Sequence, residues 1–298
     1  MAPRHYAFPA DIPKADIATI TRRRFDIAYA TASHAQRLDV YWPAEGDGRR
    51  PVIVALHGGA FMGGDKRDLQ LTPMLAGLAR GYAVVSVNYR MSGEAVFPAL
   101  VHDVKAAIRW VRAHAAENGF DPERIATWGG SAGGWLSLMA GVSTGIAALE
   151  DPVSKPTAVS DRAQAVVAWF PPTNFLTMDQ QLGASGFLPA PEFAHSGANS
   201  PESLLLGRPI TEVPELVRAA DPTTYVRPGL PPFLLQHGTH DDVVPYQQSL
   251  TFAQALAVVA PGTVRHELLN GARHADVAFE TRENVDRVLD FLDGALER

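Results

Sequence analysis

The 298-residue sequence predicts an α/β architecture, a mostly parallel eight-stranded sheet with helices on both faces. Three observations carry that reading. Short, almost wholly apolar runs recur, of the kind a strand shows when it is covered on both sides: Val52-Ile53-Val54-Ala55-Leu56, Ala83-Val84-Val85-Ser86-Val87, Ile125 to Trp128 and Ala165-Val166-Val167-Ala168-Trp169-Phe170. Segments with helical spacing alternate with these runs. Glycine-rich loops follow several of them directly.

In chain order, residues 25 to 42 alternate as strands do, with Phe25, Ile27 and Tyr29 and then Leu38, Val40 and Trp42 around a polar stretch. This reads as an antiparallel pair at a sheet edge. The runs 52–56 and 83–87 are central strands, linked by a helix from Leu69 to Arg80 that Gly81 caps. A helix from about Phe97 to Asn118 places Leu100, Val104, Ile108 and Val111 on one face and stops at Gly119. Asp121-Pro122 then turns into the strand 125–128, and a helical run from Trp135 follows.

After the sixth strand, Pro171-Pro172 opens a Gly-, Pro- and Ser-rich stretch to about Pro222. So long a break in the alternation predicts a functional insertion, and residues 175–222 are expected to form a cap, with short helices near Pro201–Leu206 and Val213–Ala219. The rhythm resumes with a strand at Phe233-Leu234-Leu235-Gln236, a helix near Tyr246 to Val259, a strand from Val264 to Leu269 and a last helix from about Val277 to Leu296. The whole chain, 1–298, reads as one domain with residues 1–24 as an N-terminal extension.

Composition narrows the function. Hydrophobic residues make up 46% and charged residues 19%, an ordinary globular balance. A net charge of −6 gives no global pull toward nucleic acid or anionic membranes, and Arg22-Arg23-Arg24 reads as a solvated turn or strand edge. Cysteine is absent, which excludes disulfides, thiolate nucleophiles and zinc-thiolate sites. No stretch approaches the roughly 18 to 20 apolar residues of a membrane span. Pro3, Pro9 and Pro13 interrupt any signal-peptide core, so a cytoplasmic protein is expected, with export left open.

Four loops carry the chemistry. Gly129-Gly130-Ser131-Ala132-Gly133-Gly134 stands between a buried strand and an apolar helix. A nucleophile at so sharp a turn needs small neighbours, and its hydroxyl then stands near the positive end of the following helix. Alone, the motif also fits a glycine-rich turn with an incidental serine; the other loops decide. His57-Gly58-Gly59-Ala60-Phe61-Met62-Gly63-Gly64-Asp65 follows the run 52–56 and can turn backbone amides toward an oxyanion, with Gly59 and Ala60 as donors beside Ala132. Gln236 to Pro245 offers Asp241 and Asp242 at a strand end, of which Asp241 is preferred. Asn270 to Asp276 places His274 where a general base can reach the serine.

The order Ser131, Asp241, His274, together with His57-Gly58-Gly59-Ala60-Phe61, resembles the α/β-hydrolase superfamily. The likeness is to its carboxylesterase and lipase branch, related to hormone-sensitive lipase and to bacterial feruloyl-esterase-like domains, and it runs from about residue 24 to the C-terminus. It implies the α/β-hydrolase fold, hydrolysis of small to medium carboxylic esters through an acyl-enzyme, and no cofactor. Two positions depart from the pattern. Ala60 replaces a third glycine, which shifts the likeness toward the feruloyl-esterase-like group, and Asn174 stands where related sequences often carry Asp.

Of the aromatic and sulfur side chains near strand ends, Phe61, Met62, Trp128, Trp169 and Phe170, two are expected to touch substrate: Phe61 and Trp128. Core packing is the competing reading for each. His57 is read as a buried imidazole tying loops together and His240 as a rim residue; Asp103 and Arg109 need no more than ordinary ion pairs. No spacing of His and acidic residues resembles a metal site. The expected partner is a small-molecule ester, with neither nucleic acid nor membrane, and a homodimer stays open. The rivals are a feruloyl or acetyl-carbohydrate esterase, a serine peptidase, which lacks support because no propeller-like domain accompanies the motifs, and a ligand-binding protein that uses the fold without catalysis.

Overall fold

The computed structural model describes residues 12–46, 48–152, 158–187 and 194–297. Its sheet has eight strands: β1 (Arg23–Ala28), β2 (Arg37–Tyr41), β3 (Arg50–Leu56), β4 (Ala83–Val87), β5 (Phe120–Gly130), β6 (Ala165–Trp169), β7 (Phe233–Gly238) and β8 (Val264–Leu269). Their spatial order is β1-β2-β4-β3-β5-β6-β7-β8. The pairs β1·β2 and β2·β4 are antiparallel; every pair from β4·β3 to β7·β8 is parallel. The expected α/β-hydrolase sheet is therefore present, with its antiparallel strands at one edge.

Strand alternation sorts the core into two layers. Val52, Val54, Leu56, Val85, Val166, Ala168, Phe233 and Leu235 face one side, under the helices Ala99–Ala113, Ala132–Ser143 and Gln247–Val259. Ile53, Ala55, Val84, Trp128, Val167, Trp169 and Leu234 face the other, under the helical turns of 69–80 and the helix Arg282–Leu296. Burial of both faces explains why the central strands are apolar without alternation.

Element boundaries differ from expectation in four places. The helix expected over Leu69–Arg80 is a chain of short turns, with one four-residue α-helical stretch at Thr72–Leu75 between 3-10 segments. The one expected to end at Asn118 breaks after Ala113 and resumes for Ala115–Asn118. Gly81 and Gly119 close these segments with left-handed φ of 85° and 66°. The last helix is likewise interrupted at Thr281, whose hydroxyl caps the Arg282–Leu296 helix by accepting from the Asn284 amide. β5 extends back through Asp121-Pro122, which was expected to be a turn.

Between β6 and β7 lie the helices Met178–Ala184, Pro201–Leu206 and Pro214–Ala220 with intervening 3-10 turns. The last two match expectation; the first carried no clear periodic signal. Phe175, Met178, Leu205, Ile210 and Val217 bury their side chains against the same layer as the Ala132–Ser143 helix. Part of the segment 175–222, residues 188–193, lies outside the described residues, as do residues 1–11 of the expected extension 1–24. Within that extension Lys14 makes an isolated antiparallel bridge with Asp68.

Candidate active site

Ser131 sits between β5 and the Ala132–Ser143 helix with φ 55° and ψ −122°, a conformation that costs a non-glycine residue energy. The turn is held by a hydrogen bond from the Ser131 amide to the Trp169 carbonyl, 2.9 Å, and by the absence of side chains around it. A Cβ on Gly129 or Gly133 would meet the carbonyl oxygens of neighbouring backbone, among them that of Leu56. The glycines are thus required by close approach of β3 to the turn.

The loops after β7 and β8 bring the other two expected residues to the same place. His274 Nε2 lies 3.0 Å from Ser131 Oγ, and its Nδ1 lies 2.8 Å from Asp241 Oδ2. A carboxylate only accepts, so Nδ1–H donates to Asp241 and Nε2 of the neutral ring is left to accept the serine proton. Asp241 is 2% exposed. Its Oδ1 takes the amides of Val243 and Val244 at 2.9 and 2.8 Å. Burial alone would raise its pKa, but the electrostatic interaction with His274 and hydrogen bonds from His237 and His274 hold it well below the ordinary carboxylate range. Asp242 instead pairs with Arg273 at the exposed rim.

The loop after β3 takes left-handed φ at three successive residues, Gly59 (128°), Ala60 (50°) and Phe61 (63°). Among the described residues the amides of Gly59, Ala60 and Ala132 have no hydrogen-bond partner within the protein. For Ala132 this follows from its place at the start of a helix, where no carbonyl lies one turn back. His57, 5% exposed, supports the loop from beneath. Its Nδ1 donates to the Gly58 carbonyl at 2.8 Å, its ring stacks on Tyr89 at 4.6 Å, and the Tyr89 hydroxyl donates to the His57 carbonyl at 2.7 Å. Burial pushes the imidazole pKa down and keeps the ring neutral.

Phe61 and Trp128, the two side chains expected to touch substrate, are both buried. Phe61 is 2% exposed, because its left-handed backbone turns the ring inward onto Trp135 and Phe175. Trp128 is fully buried on the layer covered by the last helix, edge-on to Trp169 at 5.0 Å. A cleft lined by Met74, Gly130, Trp169, Phe170, Ala275 and Phe279 includes the chain neighbours of Ser131 and His274. The Phe170 ring lies 4.8 Å from that of His274 and backs the imidazole edge-on.

Sequence reasoning missed several residues that hold this arrangement. Gln70 accepts the Gly58 amide through Oε1 at 2.9 Å and donates to Asp68 at 3.0 Å, fixing the glycine loop. It lies in the 69–80 segment, where nothing in the pattern distinguishes it. His237, one residue before the glycine that ends β7, donates through Nε2 to the Val244 carbonyl at 2.8 Å and lies 3.3 Å from Asp241 Oδ2. Its position in His237-Gly238 was visible, its partner was not. Among the described residues no cluster of three or more His, Asp or Glu is placed to hold a metal. No helix there is long and apolar enough to cross a membrane.

Similarity to known proteins agrees with this geometry. The probable carboxylic ester hydrolase LipM of Mycobacterium tuberculosis is 32% identical over 255 residues, 84% of this chain and 55% of LipM. Esterase LipQ of the same organism is 33% identical over 273 residues, 90% of this chain and 61% of LipQ. The chain thus spans little more than half the length of these relatives. Among solved structures, a truncated form of a carbohydrate esterase from gut microbiota superposes at a TM-score of 0.83 with 29% identity, covering 96% of this chain and 100% of that one. The BD-FAE family matches residues 38–256, from β2 into the Gln247–Val259 helix and across the loops that bear Ser131 and Asp241. With the sheet order, the strained serine turn and the relatives all in agreement, the chain belongs to the BD-FAE family, in the carboxylesterase and lipase branch of the α/β-hydrolase superfamily.

Proposed function

We propose that the protein is a serine carboxylesterase that hydrolyses small to medium carboxylic esters through Ser131, His274 and Asp241. One observation carries the reading: the continuous line from Ser131 Oγ to His274 Nε2, 3.0 Å, and from His274 Nδ1 to Asp241 Oδ2, 2.8 Å. Nε2 takes the hydroxyl proton as Oγ bonds to the ester carbonyl carbon, and Asp241 stabilises the imidazolium that forms. The amides of Gly59, Ala60 and Ala132 receive the oxyanion. Collapse breaks the ester C–O bond, His274 returns the proton to the leaving alcohol, and water then releases the acid from the acyl-enzyme by the reverse sequence.

The apolar side chains Met74, Trp169, Phe170 and Phe279 that line the cleft suit an uncharged acyl or alcohol group. The segment 175–222 acts as a cap over this edge of the sheet, and the chain functions as one domain. A second reading, a feruloyl or acetyl-carbohydrate esterase, is supported by the likeness to the gut carbohydrate esterase.

The test is a fluorophosphonate probe followed by a p-nitrophenyl ester panel. Labelling of the wild type but not of Ser131→Ala is expected, with turnover falling from acetate to palmitate. An unlabelled wild type would sink the esterase reading, and ethyl ferulate cleaved no better than p-nitrophenyl acetate would count against the carbohydrate version.

A further inference from the structure

The segment between β6 and β7 carries a buried charged pair that the ester chemistry does not use. His195 and Glu202 are 6% and 4% exposed. His195 Nδ1 lies 2.9 Å from Glu202 Oε1, and Nε2 lies 2.9 Å from the Val243 carbonyl oxygen. A carboxylate and a carbonyl can only accept, so both ring nitrogens must carry hydrogen and the ring is an imidazolium. Asp179 fixes the backbone around it by accepting the amides of His195 and Ser196, each at 2.8 Å. The groups facing the ring are therefore Glu202 from the Pro201–Leu206 helix, Asp179 from the Met178–Ala184 helix and the Val243 carbonyl from the loop after β7. Burial works against the charge, but the Glu202 carboxylate outweighs it, and the His195 pKa is pushed up to about 9.

Val243 links this pair to the candidate acid. Its carbonyl accepts from His195, while its own amide donates to Asp241 Oδ1 at 2.9 Å. One residue is thus gripped from both sides, by the inserted segment on one and by the carboxylate on the other. We propose that protonated His195 is a positioning residue for Asp241, clamping Val243 so that its amide stays on the carboxylate that orients His274. The inference rests on Asp241 being the acid of the ester reaction. On deprotonation one ring nitrogen turns a lone pair toward Glu202 or toward the Val243 carbonyl, the clamp becomes repulsive, and Val243 is released. Turnover then falls while substrate affinity is little changed.

The experiment measures kcat and KM of the full chain with p-nitrophenyl acetate from about pH 6 to about pH 10.5, corrected for spontaneous hydrolysis, with circular dichroism at each pH to verify folding. The wild-type kcat is expected to fall through about pH 9 without a matching rise in KM. Glu202→Gln removes the anion that holds the proton and should move this alkaline limb down by about one pH unit or more. His195→Gln should abolish the limb and lower kcat at neutral pH by about 10- to 100-fold. A wild-type kcat that stays level between pH 8 and 10, or a limb unmoved by Glu202→Gln, overturns the proposal. Should either variant fold poorly, NMR titration of the His195 ring in Ser131→Ala protein decides the matter: titration near 9 supports the clamp and titration near 6.5 overturns it. Failure of the underlying reading looks different, because the wild type would then show no ester turnover or Asp241→Asn would retain it.

Discussion

The His274 imidazole meets Ser131 Oγ at 3.0 Å across a separation of 143 residues. Such a contact exists only because β5 and β8 end at the same edge of one parallel sheet, with β7 between β8 and the rest delivering Asp241. Among the parallel strands β3 to β8, each loop that follows a strand leaves from that same edge. The juxtaposition is therefore a consequence of topology, and the proposed chemistry is specific enough to test residue by residue.

Asp241→Asn should keep the fold and lose the reaction. The amide can offer its NH2 to His274 and so favour the wrong tautomer, which places a proton on the nitrogen that must accept one. A drop in kcat on the order of 10⁴, with KM within about threefold of wild type, is expected from steady-state assays on p-nitrophenyl acetate. A drop below about tenfold would remove Asp241 from the reaction.

The same carboxylate should leave a signature in stability. Its folded-state pKa is depressed despite burial, because His274 and His237 favour the charged form. A depressed carboxylate contributes stability above its unfolded value of about 3.9, and that contribution fades as pH falls toward the folded value. Urea denaturation should show wild type more stable than Asp241→Asn by a constant margin from about pH 5 to 7, narrowing below about pH 4. A margin unchanged at about pH 2.5 would contradict the depressed pKa.

Much of this site was legible in the sequence because its residue types are dictated by close contact. Gly129 and Gly133 must lack side chains where β3 passes, and that requirement is written as a glycine pattern around Ser131. Strands were legible because burial on both faces leaves apolar runs. The supporting residues were not, since Gln70 and Tyr89 act through single hydrogen bonds on Gly58 and His57, and neither type nor spacing marks such a bond. The orientation of Trp128 and Phe61 was not legible for a related reason. A residue next to a loop can point either way, and strand alternation sends Trp128 to the far layer while a left-handed φ folds Phe61 inward.

The glycine loop predicts a separation of activity from stability. Gly59 has φ 128°, where an L side chain is strained, and an added Cβ would press on the Gly63 carbonyl. Gly59→Ala should therefore re-aim the Gly59 and Ala60 amides while leaving the sheet intact. Loss of one oxyanion donor is worth about 10²–10³ in kcat, against a stability cost of roughly 1–3 kcal/mol for the strain. Comparing kcat with urea midpoints checks this, and a variant that loses stability without losing turnover would exclude Gly59 from the oxyanion role.

Trp128 and Phe170 should respond in opposite ways, because one lies in the core and the other backs His274 at the cleft. Trp128 is fully buried and, among the described residues, its indole nitrogen has no hydrogen-bond partner, so Trp128→Phe removes volume but no bond. It should lower stability by about 1–3 kcal/mol and leave KM unchanged. Phe170 is 5% exposed, lines the cleft and packs on His274 and Phe279. Phe170→Ala should cost about 3–5 kcal/mol, and it should also loosen the imidazole and widen the cleft. Its kcat should fall on small esters, and the preference among the p-nitrophenyl series should shift toward bulkier acyl groups. If instead Trp128→Phe raises KM while Phe170→Ala changes stability alone, the assignment of these two aromatics to core and cleft is reversed.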